Sequence, residues 1–329
     1  MNKKYGVLGG GSWGTAIVKI LTENNNLINW YVRNEDNVNY LIEFKKNPHY
    51  LSSVVFDVKK INISSSIKKV VESSDIIILA IPSPFLESEL MKVKSLLKEK
   101  IIFSALKGVV PESHLIVSEH LNEFYNVPIS NIGMITGPCH AEEVALDKLS
   151  YLTVACQANQ IGKDMKTALE SKNIKVKLSQ DTMGIEYAAM LKNIYAIVAG
   201  IAHGLGYGDN FQSVLISNSV REMKRFVNDI YKINRDINDT EYLGDLLVTA
   251  YSTFSRNRTL GNMLGKGYSL KAAIAEMSMI SEGYYATKNA YEIVKKDFEK
   301  FPIIHAAYDS LYKKISLKKV FQNLSEKLN

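Results

Sequence analysis

The feature that most constrains this 329-residue chain is Gly9-Gly10-Gly11-Ser12-Trp13-Gly14, a G-x-G-x-x-G run. It follows the apolar stretch Tyr5–Leu8 and leads directly into the helical pattern Thr15–Leu21, so it reads as strand, turn, helix. In that setting Gly9 permits a tight turn, Gly11 lets backbone approach a pyrophosphate, and Gly14 allows close packing of helix on strand. The phosphates of a dinucleotide then rest on unpaired N–H groups at the helix N-terminus. A plain tight turn would account for neither the three-glycine spacing nor its position after the first strand.

The end of the second strand bears on the choice of cofactor without closing it. An NAD-type site places an acidic residue about 20 residues beyond the glycines, to bond the ribose hydroxyl. Here Trp30-Tyr31-Val32 is followed by Arg33 and Asn34. An arginine at that point accommodates a 2′-phosphate, which leans the reading toward NADPH. Glu35 and Asp36 follow closely and keep NADH open.

Strand signals recur at Tyr5–Leu8, Ile28–Val32, Ile76–Ile81, Ile101–Ala105, Ile132–Thr136, Leu152–Ala155 and Lys175–Leu178, with amphipathic stretches between them. Continuous apolar runs such as Ile76–Ile81 indicate strands covered on both faces, hence a mostly parallel sheet flanked by helices. Beyond about Ser179 the strand signals fade. Helical periodicity then dominates over Thr182–His203, Gln212–Ile230 and Ala272–Lys296, and the charged tail Lys313–Asn329 reads as an amphipathic helix. The expected organisation is α/β: a Rossmann-like domain over residues 1–179, then an all-α domain over 180–329.

Composition narrows the rest. Hydrophobic residues make up 46% and charged residues 22%, which is ordinary for a globular chain and excludes a disordered or collagen-like one. The net charge of +6 is spread along the chain, which suits anionic small molecules and gives no stripe for nucleic acid. Cys139 and Cys156 sit in no metal-like spacing; no metal site is expected, and the shortage of cysteine suggests a reducing cytoplasm. Lys3 and Lys4 before an apolar run loosely mimic a signal peptide, but the glycine loop and Lys19 interrupt it. Ile185–Ala202 has the length of a membrane span, yet contains Glu186, Lys192 and Asn193, so it reads as a buried helix and no transmembrane segment is expected.

Two lysines stand out. Lys107, in Leu106-Lys107-Gly108, follows a predicted strand at the carboxyl end, where open α/β sheets bind ligands. Gly137-Pro138-Cys139-His140-Ala141 follows another strand in the same way; Cys139 has no partner motif for a nucleophile and reads as a small neighbour of bound ligand. Lys192 is the only cation between Ile185 and Ala202. Burial there disfavours its charged form and lowers its pKa, making it a candidate proton donor and acceptor; a snorkelling or salt-bridged structural lysine is the alternative. Ser255-Arg256-Asn257-Arg258 offers guanidinium, hydroxyl and amide groups for a phosphate, though alone it also fits a helix cap.

Taken together, these residues resemble the bacterial-type NAD(P)-dependent glycerol-3-phosphate dehydrogenases over essentially the whole chain. The resemblance rests on Gly9-x-Gly11-Ser12-Trp13-Gly14-Thr15-Ala16, Ala80-Ile81-Pro82-Ser83, Leu106-Lys107-Gly108, Gly137-Pro138 and Leu191-Lys192-Asn193. It continues through Gly206-x-Gly208-Asp209-Asn210, Gly244-Asp245-Leu246, Ser255-Arg256-Asn257 and Glu282-Gly283, in matching order and spacing. It implies reversible reduction of dihydroxyacetone phosphate to sn-glycerol 3-phosphate, the glycerophospholipid precursor. It further implies that Ser12, Trp13, Arg33, Lys107, Ala141, Arg256, Ile280 and Glu282 contact the cofactor. Lys107, Gly137, Cys139, Lys192, Asp245, Ser255, Arg256 and Asn257 would contact the substrate, with Lys192 as general acid/base. The chain departs from the pattern at Cys139-His140, where Ser or Thr and a larger residue are usual, at Ser52-Ser53, and at Asn218, where arginine is common.

Two rivals fit parts of the sequence. A dehydrogenase of hydroxyacids or sugar acids would not require the Gly244-Asp245 and Ser255–Asn257 segments together. A non-catalytic nucleotide sensor would leave Lys192 unexplained. The expected partners are a phosphorylated small molecule and, in assembly, a possible homodimer.

Overall fold

The computed structural model describes residues 3–24, 26–277 and 281–329. The chain divides into two compact units, residues 1–106 with 110–182 and residues 107–109 with 183–329. The short segment around Lys107 thus groups with the second unit.

The first unit is built on one eight-stranded sheet. Its strands are β1 (Tyr5–Leu8), β2 (Ile28–Tyr31), β3 (Ile61–Ser64), β4 (Ile76–Leu79), β5 (Ile101–Ser104), β8 (Ile132–Thr136), β9 (Ser150–Cys156) and β10 (Ile174–Ser179); β6 (Val109–Val110) and β7 (Leu115–Ile116) form a separate ribbon. The spatial order is β10-β9-β8-β5-β4-β1-β2-β3, and every pairing is parallel except β8 with β9. This is the mostly parallel α/β architecture expected from the sequence.

The apolar runs are explained by burial on both faces. In β4, Ile76 and Ile78 join a core that includes Val7, Ile17 and Trp30, while Ile77 and Leu79 join the opposite core with Leu86, Leu90 and Leu121. β1 and β8 have their expected bounds, the other expected strands differ by one or two residues, and β3 is not among those expected. It lies at the sheet edge with only Ile61 fully buried, so it lacks the apolar run that marks the interior strands.

The second unit is helical. Thr182–Gly204 is, among the described residues, the one helix long and apolar enough to cross a membrane, but its apolar window is wholly buried in the protein. It packs against Arg256–Gly265 with backbones almost touching. A Cβ on Gly200 or Gly204 would strike the carbonyls of Arg258 and Asn262, and one on Gly261 or Gly265 would strike those of Ile197 and Ile201. Glycine at all four positions is therefore what lets these helices approach.

One expected helix, Ala272–Lys296, is instead two: Leu270–Glu276 and Glu282–Val294. Met277 turns to an extended conformation, and Asn257 Oδ1 accepts from the Ser281 hydroxyl (2.6 Å) and the Gly283 backbone N–H (2.9 Å). A tertiary contact has overridden the local periodicity. In the tail, the helix covers Leu317–Ser325.

Candidate active site

In the first unit, the glycine loop has the shape its sequence implies. Gly9 adopts φ +131°, a left-handed region that favours glycine, and any Cβ there would meet the Ala80 carbonyl. A Cβ on Gly14 would collide with the Gly9 carbonyl, so helix Ser12–Glu23 can sit on β1 only without one. Gly11 differs: a Cβ there meets nothing within 4 Å and would project into open space.

The helix begins at Ser12 with no side-chain cap and no acidic residue in its first turn. Its N-terminal partial positive charge is thus left for an anion. The loop is braced from outside. Trp30 Nε1 donates to Gly9 O (2.9 Å), and Asn47 Nδ2 donates to Gly10 O (3.0 Å). Neither bracing residue was signalled by the glycine motif. The indole N–H of Trp13 is buried with no protein acceptor. An open cradle, an uncapped helix and an orphaned donor together fit a dinucleotide.

Arg33 is exposed two residues past the end of β2, after the buried Val32. Asn34 caps the next helix, accepting from Asp36 N (2.7 Å) and Asn37 N (3.2 Å), while Glu35 accepts a hydrogen bond from Ser65 Oγ. The nearby acidic side chain at Glu35 is thus committed locally, and the strand end presents arginine. Gly137 has φ +121°, Cys139 is a buried residue outside any disulfide, and Ala141 opens a short helix, all after β8.

In the second unit, Lys192, Asp245 and Lys107 form one cluster. Lys192 Nζ donates to Asp245 Oδ1 at 2.5 Å and to Thr249 Oγ1 at 2.9 Å. Lys107 Nζ reaches Asp245 Oδ2 at 3.2 Å. The side chains of Lys192 and Asp245 are 4% and 1% exposed, that of Lys107 18%. Thr249, one helical turn beyond Asp245, donates to the Asp245 carbonyl (2.6 Å), and Asn193 Nδ2 donates to the Lys107 carbonyl (2.7 Å). Thr249 escaped the sequence reading; its only signal was the i+4 spacing from Asp245.

Burial pushes the Lys192 ammonium down, to about 7, despite the opposing pull of Asp245 and with further lowering by Lys107. Burial alone would raise the Asp245 carboxyl, but Lys107 and Lys192 outweigh it and hold it below its usual range. The result is a carboxylate held in its ionised form beside an amine whose charged form burial disfavours.

Ser255 caps Arg256–Gly265 through Arg258 N (3.3 Å), and Arg256 is exposed at the first helical position. A Cβ on Gly283 would touch both Asn257 Oδ1 and Asn193 O, so Asn257 lies beside the Lys192–Asn193 segment. Glu282 is half-buried at the start of its helix, and Ile280 lies outside the described residues.

Comparison with known proteins follows the same division. Residues 4–162 match the family model for the NAD-dependent glycerol-3-phosphate dehydrogenase N-terminus, and residues 181–322 match that for its C-terminus. A glycerol-3-phosphate dehydrogenase [NAD(P)+] of Bacillus subtilis is 34% identical over 312 residues, 94% of this chain and 90% of the relative. The enzyme of the same description from Limosilactobacillus reuteri is 32% identical over 99% of this chain and 98% of its own. The crystal structure of glycerol-3-phosphate dehydrogenase from Coxiella burnetii superposes with a TM-score of 0.91 at 27% identity, covering 99% of both chains.

Proposed function

Because this chain belongs to the NAD-dependent glycerol-3-phosphate dehydrogenase family, we propose that it catalyses the reversible reduction of dihydroxyacetone phosphate to sn-glycerol 3-phosphate with NADPH or NADH. The observation that carries the reading is the buried Lys192–Asp245–Lys107 cluster, which holds a proton available near neutral pH.

The reduced nicotinamide, when bound, supplies the hydride to the ketone carbon. Gly9, Gly11, Gly14, Ser12 and Trp13 would hold its pyrophosphate half, with Arg33 at a 2′-phosphate and Lys107, Ala141, Arg256, Ile280 and Glu282 as further contacts. Lys192, as ammonium, gives its proton to the oxygen that gains charge, so one hydride and one proton convert ketone to alcohol. Asp245 stays ionised and keeps the Lys192 ammonium aimed. Lys107 adds positive charge where the oxyanion develops. Ser255, Arg256 and Asn257 grip the phosphate, with Gly137 and Cys139 as close neighbours of the substrate. In the oxidative direction Lys192, as free amine, takes the proton back.

The setting that fits this chemistry is cytoplasmic, and a homodimer is the proposed assembly. The direct test follows the nicotinamide absorbance on adding dihydroxyacetone phosphate with each reduced cofactor. Oxidation with this substrate, and none with an unphosphorylated ketone or a hydroxyacid's keto form, supports the reading. The absence of turnover with both cofactors would remove it.

A further inference from the structure

The second unit contains a cavity of about 260 Å³ that shares no residue with the Lys192 cluster or the Ser255–Asn257 segment. Arg221, Glu222 and Arg225, on one face of helix Asp209–Ile230, line one side; Glu299, Lys300 and Lys327 are among the residues opposite. Four cations and two side-chain carboxylates line it, and Lys300 Nζ stands 4.0 Å from Asp297 Oδ1 on its own exposed segment. Glu299 accepts from Lys327 Nζ at 2.7 Å. Glu222 accepts from the amides of Ile303 (2.8 Å) and Ile304 (2.9 Å) at the start of helix Pro302–Tyr312. Its complete burial pushes its carboxyl up, to about 8, against the lowering pull of those two amides and of Arg225.

Both guanidinium groups are held in place. Arg225 Nε donates to the Lys300 carbonyl (3.1 Å), and Arg221 Nη1 donates to the main-chain oxygen (3.0 Å) and Oδ1 (2.9 Å) of Asn329. A guanidinium carries five donors in a planar fork, so these bonds orient the groups without exhausting them.

We propose that this cavity is a second anion site, for orthophosphate or a small phosphomonoester, held by Arg221, Arg225 and Lys300. Two planar forks with an ammonium match the tetrahedral, multiply charged phosphate group better than a single carboxylate. The volume sets the size of the ligand: drug-sized molecules occupy roughly 300–1,000 Å³, so this cavity suits a phosphate group with little attached and excludes a dinucleotide.

The test is calorimetric titration of inorganic phosphate at constant ionic strength, with chloride as control. The Arg256→Ala variant is used as background, to remove the proposed substrate clamp. Phosphate binding should persist in Arg256→Ala and weaken by about tenfold or more when Lys300→Gln, or the pair Arg221→Gln and Arg225→Gln, is added. Lys300→Gln alone should leave turnover unchanged, and because Lys300 is exposed it keeps the test valid if the arginine pair disturbs folding. Loss of all phosphate binding in Arg256→Ala would overturn the proposal. So would binding in that background that Lys300→Gln leaves intact. Neither outcome touches the dehydrogenase reading, which the absorbance assay tests separately.

Discussion

Lys192 Nζ and Asp245 Oδ1 stand 2.5 Å apart in a setting almost closed to water, with Lys107 3.2 Å from the other carboxylate oxygen. Two ammonium groups thus share one carboxylate. A buried cluster with one excess positive charge relieves itself by releasing a proton, and Lys192, the more buried lysine, is the group that burial pushes down to about 7.

This relationship fixes the sign of a pH dependence. Ketone reduction needs Lys192 as ammonium, so its rate should fall as pH rises through about 7, while alcohol oxidation, which needs the free amine, should rise over the same range. Asp245→Asn removes the group that favours the ammonium and leaves Lys107, which disfavours it. The midpoint of both profiles should therefore move to lower pH, by about one unit or more, as expected for loss of an adjacent opposite charge. The pH dependence of kcat in both directions measures it. A midpoint that stays put, or moves upward, would separate Asp245 from the proton-bearing group.

Gly11 and Gly14 should separate binding from folding. Gly11 has open space where a side chain would be, so Gly11→Val should leave the melting temperature near that of the parent while abolishing dinucleotide binding. Gly14 abuts the Gly9 carbonyl, so Gly14→Ala should cost stability, about 1–3 kcal/mol for a crowded interior site. Thermal melts beside calorimetric titration of NADPH distinguish the two. Near-normal affinity in Gly11→Val would remove the loop from the cofactor site.

Arg33 should govern cofactor choice. It is exposed just past β2, ahead of Glu35, which is bonded to Ser65, and of Asp36. Arg33→Ala should weaken NADPH use by roughly tenfold or more, the value of a hydrogen bond to a charged group, and change NADH use far less. The ratio of kcat/KM for the two cofactors is the readout. Equal losses would show that the arginine does not meet the extra phosphate.

The α/β order of the first unit was legible because interior strands buried on both faces are written as unbroken apolar runs, as at Ile76–Leu79. The edge strand Ile61–Ser64 escaped because Ile61 and Ile63 alternate with Asn62 and Ser64, leaving no unbroken apolar run. The break between Glu276 and Glu282 escaped because the pull comes from Asn257, distant in sequence. The same limit applies at the candidate site. The glycine spacing and the lone Lys192 in an apolar helix are local signals. The pairing of Lys192 with Asp245 and Thr249 joins residues more than 50 positions apart, which no local pattern encodes. The bracing of Gly9 by Trp30 and of Gly10 by Asn47 is equally non-local.

The central claim is that Lys192 carries the proton, and Lys192→Met tests it most directly. Methionine keeps helix propensity and an unbranched apolar side chain, while Asp245 retains Lys107 as its partner. Folding and dinucleotide affinity should therefore survive, and KM for dihydroxyacetone phosphate should change little because the phosphate is held elsewhere. Turnover per folded molecule, measured by steady-state kinetics beside a thermal melt, should fall by about 10²–10⁴-fold, the usual contribution of positioned acid/base catalysis. Turnover within a few-fold of the parent, with lost stability as the main effect, would contradict the account and make Lys192 a structural lysine.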